Sequence, residues 1–176
     1  DAELLDITND EHRALIDNPS ISELGLMNRS PYFYKRLIKD KVKPKEPTRG
    51  ARRRGTLFHL ALLEPMEYAE KVILLPPDYD SRTREGKALK VEMAAKEALG
   101  YFYISEEEHN EYFEACKRIA EKPEIYSMLE SSIHEKTILF KPNGETVCKA
   151  RLDAFDPDKN FILDVKTTSS LKDFTD

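Results

Sequence analysis

A chain of 176 residues with 28 Lys/Arg against 33 Asp/Glu, net charge −5, is sized for a single domain and argues against indiscriminate nucleic-acid binding by the chain as a whole. No apolar run approaches bilayer-spanning length, which excludes a helical membrane span, and no basic-then-apolar leader follows Asp1, so no secretory signal is expected. Two cysteines, Cys116 and Cys148, lack CxxC spacing; they exclude a disulfide framework and fit a reduced, cytoplasmic setting.

The first 130 residues read as mainly helical. Thr8 and Glu11 have capping-box spacing ahead of HRALI, and Ser20 and Glu23 repeat it ahead of LGLM. Ser30-Pro31 offers an N-cap with proline at the first helical position, opening YFYKRLI. Tyr32, Phe33 and Tyr34 follow a helical face there and read as core, a base-stacking wedge being the sharper alternative. From Lys35 to Arg54 ten Lys/Arg stand against two acids, Asp40 and Glu46. That stretch is either an electrostatic footprint for phosphates or a solvated face with a linker, and DKVKPKEPTRGARRR within it reads as a loop or tether. GTLFHLALLE predicts a short apolar helix stopped near Pro65, and VILLPP a short extended piece. DSRTREGKALKVEMAAKEALG reads as a charged loop and then a helix ending at Gly100. Ser105 with Glu108 caps a helix through about Glu121, and PEIYSMLES forms a short one after it.

Over residues 131–170 the pattern changes. EKTILFK, ETVCKARLDAF and NFILDVKTT are rich in β-branched and aromatic residues and are separated by the turn sequences PNG and DPDK. They predict a three-stranded antiparallel meander with Cys148 as a small buried hydrophobe. The meander leaves an edge and a face uncovered, and SSLKDFTD looks like the start of a helix, so further chain or a partner is expected to complete the fold.

Charge inside this apolar hairpin carries the chemistry. Residues two apart on a strand point the same way, so Asp164 and Lys166 share a face, as do Arg151 and Asp153 on the preceding strand. With a tight turn around residues 157–160, both acids can approach one point. Paired carboxylates repel and are costly to desolvate, and a hard divalent cation, Mg²⁺ or Mn²⁺, removes that penalty. Such a metal polarises a phosphodiester and acidifies water, the carbonyl of Val165 is a further candidate ligand, and Lys166 is placed to stabilise developing charge or position the attacking water. Taken alone, D-x-K reads more readily as a salt-bridge pair on a solvated strand face; the second acid, at hairpin spacing on the neighbouring strand, brings the two readings level.

RLDAF…FILDVKTT resembles the D…(D/E)xK signature of the PD-(D/E)xK nuclease superfamily. More narrowly, ISELGLMNRSPYFYKRLI, RGTLFHLALLEPMEYAEKVILLPP, SRTREGKAL and CKARLDAFDPDKNFILDVKTTSS are similar, in order, to the RecE-type exodeoxyribonuclease VIII family of prophages. The resemblance implies an α/β (α+β-like) restriction-endonuclease-like core and a Mg²⁺-dependent exonuclease degrading linear duplex DNA in the 5′→3′ direction. It implies a ring-like homo-oligomer that binds double-stranded DNA ends, with a single-strand annealing protein as recombination partner. Residue by residue, the family's helix histidine falls on His59, its metal acids on Asp153 and Asp164, and its lysine on Lys166. His59, an odd choice in an apolar helix, then serves as metal ligand or orienter; outside the resemblance it reads as a satisfied core or boundary residue.

Glu135 either assists the site or is an exposed strand-end acid. Lys149 and Arg151 are candidates for DNA phosphates or for ion pairs with nearby acids, and Arg82, Arg84 and Lys87 for backbone contact or solvated charge. In the family a further helix follows the D-x-K strand, and the expectation is that it lies beyond Asp176. A non-catalytic, nuclease-like module holding DNA or a partner is the alternative reading.

Overall fold

Residues 2–15, 17–40, 49–142 and 144–168 are described in a computed structural model. In chain order they form β1 (Ala2–Leu5), α1 (Asn9–Ala14), α2 (Ile21–Arg29), α3 (Pro31–Tyr34) and a π-helical turn (Lys35–Lys39). Then come α4 (Arg49–Leu63), α5 (Pro65–Lys71), β2 (Val72–Leu74), α6 (Arg84–Glu97), β3 (Phe102–Ile104), α7 (Glu106–Ala120) and α8 (Pro123–Ser131). The last elements are β4 (Ile133–Phe140), β5 (Cys148–Asp156) and β6 (Phe161–Leu163). The chain is therefore mixed α/β, and it divides into two units, one from Asp1–Arg52 with Ser131–Asp176 and the other from Arg53–Glu130.

The first unit is built on an antiparallel sheet of order β1-β4-β5-β6. The expected meander is present, and β1, a stretch ahead of the Thr8 cap, joins it. Both capping boxes form: Thr8 Oγ1 accepts from the Glu11 amide, and Ser20 Oγ from the Glu23 amide. Ser30 stands at the N-cap position of α3, with Pro31 at the first helical position, but its side chain makes no capping bond. Along β5, Cys148, Leu152 and Ala154 are buried on one face. On the other, Thr137 and Lys149 are buried where α1 and the segment after it cover the sheet. The Asp156 carboxylate closes the turn into β6 by accepting the Asp158 and Lys159 amides at 3.0 Å each. The Ser131 hydroxyl, then the Lys159 and Asp158 amides and the Lys159 ammonium, hold the Asp156 carboxyl below the usual carboxylate range.

The second unit packs around Leu57, Ile104 and Tyr112, with Phe58, Ala61, Tyr68, Val72 and Phe102 against them. Its strands β2 and β3 pair in parallel, the crossover running through α6. The short extended piece expected at VILLPP is β2, whereas its partner β3 went unread because three residues between a glycine turn and a cap carry no periodicity. Arg53 ties α4 to α7 and β3, reaching Glu108 Oε1 at 2.9 Å and the Tyr103 carbonyl at 2.6 Å. The Tyr112 hydroxyl also donates to Glu108, and burial with that bond pushes its pKa well up.

Two expectations are corrected here. The loop read over DKVKPKEPTRGARRR ends earlier, since α4 already begins at Arg49; residues 41–48 lie outside the described residues. The aromatic triplet divides, Tyr34 being buried and Tyr32 exposed, because a helix sends residues two apart to opposite sides; the Phe33 side chain lies outside the description. So do Asn143 of the PNG turn and residues 169–176, on which the expected helix start falls. Among the described residues no helix is long and apolar enough to cross a membrane.

Candidate metal centre

The β4–β5 ladder pairs His134 with Ala154 and Lys136 with Leu152, so the register between them sets Glu135 across from Asp153. Their carboxylates offer oxygens within 4.8 Å of one another. Glu135 adopts φ 51°, the left-handed region that a glutamate occupies at a cost of about 1–2 kcal/mol. Backbone strain of this kind persists where surrounding contacts over-determine it. One such contact is Arg151, whose Nε donates to Glu135 Oε2 at 2.8 Å while its Nη1 donates to the Ile7 carbonyl at 3.0 Å.

Asp153 makes a second connection. Its Oδ2 accepts the Val165 amide at 2.6 Å, replacing a ladder bond just after β6 stops at Leu163. The expectation that Asp164 and Lys166 lie on a strand is thus corrected. The pairing of Ala154 with Leu163 is the last of that ladder, and Asp164–Thr168 continue without ladder pairing. Asp164 and Lys166 are exposed (61% and 58%), with Lys166 Nζ donating to Asp164 Oδ1 at 2.7 Å. Val165 between them is buried. The close acid pair therefore joins Asp153 to Glu135, while Asp164 is joined to Lys166.

Lys149 is corrected as a phosphate contact. It is 2% exposed, and its ammonium donates to the carbonyls of Leu15 (2.8 Å) and His12 (3.2 Å), with Glu23 at 3.9 Å. An ammonium this dry needs those acceptors, two carbonyls at the end of α1 that also accept the Leu15 and Asn18 amides and have a second lone pair to offer. Arg151 likewise takes the ion-pair alternative, with its guanidinium occupied by Glu135 and Ile7. His12 bonds Thr137 Oγ1 at 3.1 Å beside these cations; burial, then Lys149 and Arg151, push its imidazole below the ordinary value.

The remaining candidates belong to the second unit. His59 is half-buried on α4, beside the buried stripe of Leu57, Leu60 and Leu63. Arg82 is exposed and clamps Asp80 through Nε (2.9 Å) and Nη2 (2.8 Å), which lowers the Asp80 pKa and raises that of Arg82. Arg84 and Lys87 are exposed in the first turn of α6.

Glu135 was undervalued by position alone, as an acid near a strand start. The signal was present: a hairpin turning at PNG and continuing in register carries Glu135 to Asp153. Compared with protein-family models and with curated proteins, the chain matches no family model and no curated protein.

Proposed function

We propose that this chain is a metal-dependent DNA exonuclease, hydrolysing phosphodiester bonds of linear duplex DNA on a restriction-endonuclease-like core. The observation that carries the reading is the approach of the Glu135 and Asp153 carboxylates to within 4.8 Å. Two acids so close repel one another, a cost that Arg151 offsets on Glu135 and that a cation between them would remove, and a pair of carboxylate donors suits Mg²⁺ or Mn²⁺. Glu135 and Asp153 would hold such an ion, with His59 and Asp164 as the ligands the family resemblance adds and the Val165 carbonyl as a further candidate. When bound, the cation supplies charge neutralisation, polarisation of the scissile phosphate and acidification of water.

The chain's own groups carry the rest. Arg151 orients Glu135, and the Val165 amide fixes one oxygen of Asp153. Lys166, exposed and paired with Asp164, would exchange that partner for the phosphate's developing charge. The 5′→3′ direction, ring-like oligomer and single-strand annealing partner follow the resemblance and belong to the same proposal.

The experiment is digestion of linear duplex DNA with Mg²⁺ by the wild type, Glu135→Gln, Asp153→Asn and Lys166→Met. Loss of about 100-fold or more in each variant is expected for groups acting in the transition state. Full activity in Asp153→Asn would refute the reading. A second reading, a nuclease-like module that holds DNA without cutting, draws on the exposed Asp164–Lys166 pair, whose two groups occupy each other. Metal-independent binding with no digestion by the wild type selects it.

A further inference from the structure

The segment from Pro31 to Lys39 has two unlike sides. Tyr34 is buried, and Leu37 and Ile38 are half-buried, at the i, i+3, i+4 spacing of a packed face. Tyr32, Lys35, Arg36 and Lys39, at i, i+3, i+4 and i+7, are all exposed. Arg36 Nη1 donates to the Tyr32 hydroxyl at 2.8 Å, which holds the guanidinium alongside a ring that is 62% exposed. Lys39 reaches Asp17 Oδ1 at 3.3 Å, and that aspartate is itself open to water.

Three cations and one exposed aromatic on a single face are an unusual outlay for mere solubility. The ring of Tyr32 lies on the open side of the segment, whereas the opposite side holds Tyr34 in the core. Lys35–Lys39 is moreover a π-helical turn, a wider and less favourable winding that recurs at functional sites. Positive charge calls for a polyanion, and a flat ring flanked by a guanidinium calls for a flat, unpaired base.

We propose that Tyr32, Lys35, Arg36 and Lys39 form a binding surface for a single-stranded DNA end, the three cations taking phosphates and Tyr32 stacking on an unpaired base. The choice of DNA rests on the function proposed above; the surface is separate from the acid pair, and none of its residues belongs to that centre. Such a surface grips without reading sequence, because every phosphate and every base face is equivalent to it.

The test is fluorescence anisotropy of a labelled oligodeoxythymidine with the full chain in EDTA, where hydrolysis plays no part. Lys35→Gln/Arg36→Gln/Lys39→Gln should bind at least about 10-fold more weakly, with the slope of log K against log salt reduced by about 2. Tyr32→Ala should weaken binding about 10-fold and Tyr32→Phe, which keeps the ring, by much less. Urea midpoints of the variants, matched to the wild type, exclude unfolding as the cause. Unchanged affinity and slope in the triple variant would overturn the surface, as would a wild type that does not bind the oligonucleotide. A defect confined to blunt duplex would overturn the single-strand assignment. A wild type that binds through these residues yet digests no DNA retains the surface and removes the nuclease. One that digests duplex while the triple variant binds normally retains the nuclease and removes the surface.

Discussion

Arg151 Nε stands 2.8 Å from Glu135 Oε2 on the β4–β5 hairpin, with both side chains largely withdrawn from water (16% and 13% exposed). Breaking a pair of this kind from one side leaves an uncompensated charge. Arg151→Met is therefore expected to destabilise the chain by about 3 kcal/mol, and Glu135→Gln/Arg151→Met to recover part of that loss. Urea unfolding of the two single variants and the double variant measures it. Additive losses would show that the two groups do not act as a pair.

Lys149 is expected to matter for folding and not for DNA. Lys149→Met retains the buried stem but removes the donor to the Leu15 and His12 carbonyls, at a cost of about 3 kcal/mol. Below the unfolding transition, the salt dependence of DNA binding should match that of the wild type. A slope reduced by about one charge would show that the ammonium reaches phosphate.

Gly86 tests the packing of the second unit. A Cβ there would lie 1.9 Å from the Asp80 carbonyl oxygen and 2.7 Å from its carbon, both backbone atoms that cannot swing aside. Gly86→Ala should lower stability by about 2 kcal/mol or more. Gly25→Ala, within α2 and with nothing inside 4 Å of the added carbon, should instead raise it by about 0.5–1 kcal/mol. Thermal unfolding of the two variants gives opposite signs if the contacts are right.

The sheet face under α1 sets a pH dependence. Burial, then Lys149 and Arg151, with a smaller push from Arg13 and an opposing pull from Glu23, lower the His12 pKa. The unfolded chain then binds the His12 proton more readily than the folded one. Stability contributed by neutral His12 is complete above its ordinary pKa of about 6.5 and is lost as pH falls below it. His12→Gln, which can keep a bond to Thr137, should flatten the urea-midpoint profile between pH 7 and pH 5. An unchanged profile would remove His12 as its cause.

Much of this architecture was legible locally. Thr8–Glu11, Ser20–Glu23 and Ser105–Glu108 announce helix starts, because a cap and its amide lie three residues apart whatever surrounds them. PNG and DPDK announce the hairpins for the same reason, and Asp156 and Gly144 (φ 79°) occupy the turn positions suited to them. Asp153 stood out as a candidate from its charge within an apolar strand.

Long-range partnering lay beyond such signals. Whether Lys149 meets phosphate or helix carbonyls depends on α1, about 135 positions earlier in the chain. Whether Asp153 faces Glu135 depends on the hairpin register, and beyond Leu163 the Val165 amide goes to the Asp153 carboxylate. The order of charges along the chain established that an acid and base cluster had to be accommodated near residues 149–166. Which of those charges were neutralised in the interior and which stayed open to solvent was settled by the elements that folded over them, since desolvation admits a charge only where a partner already waits.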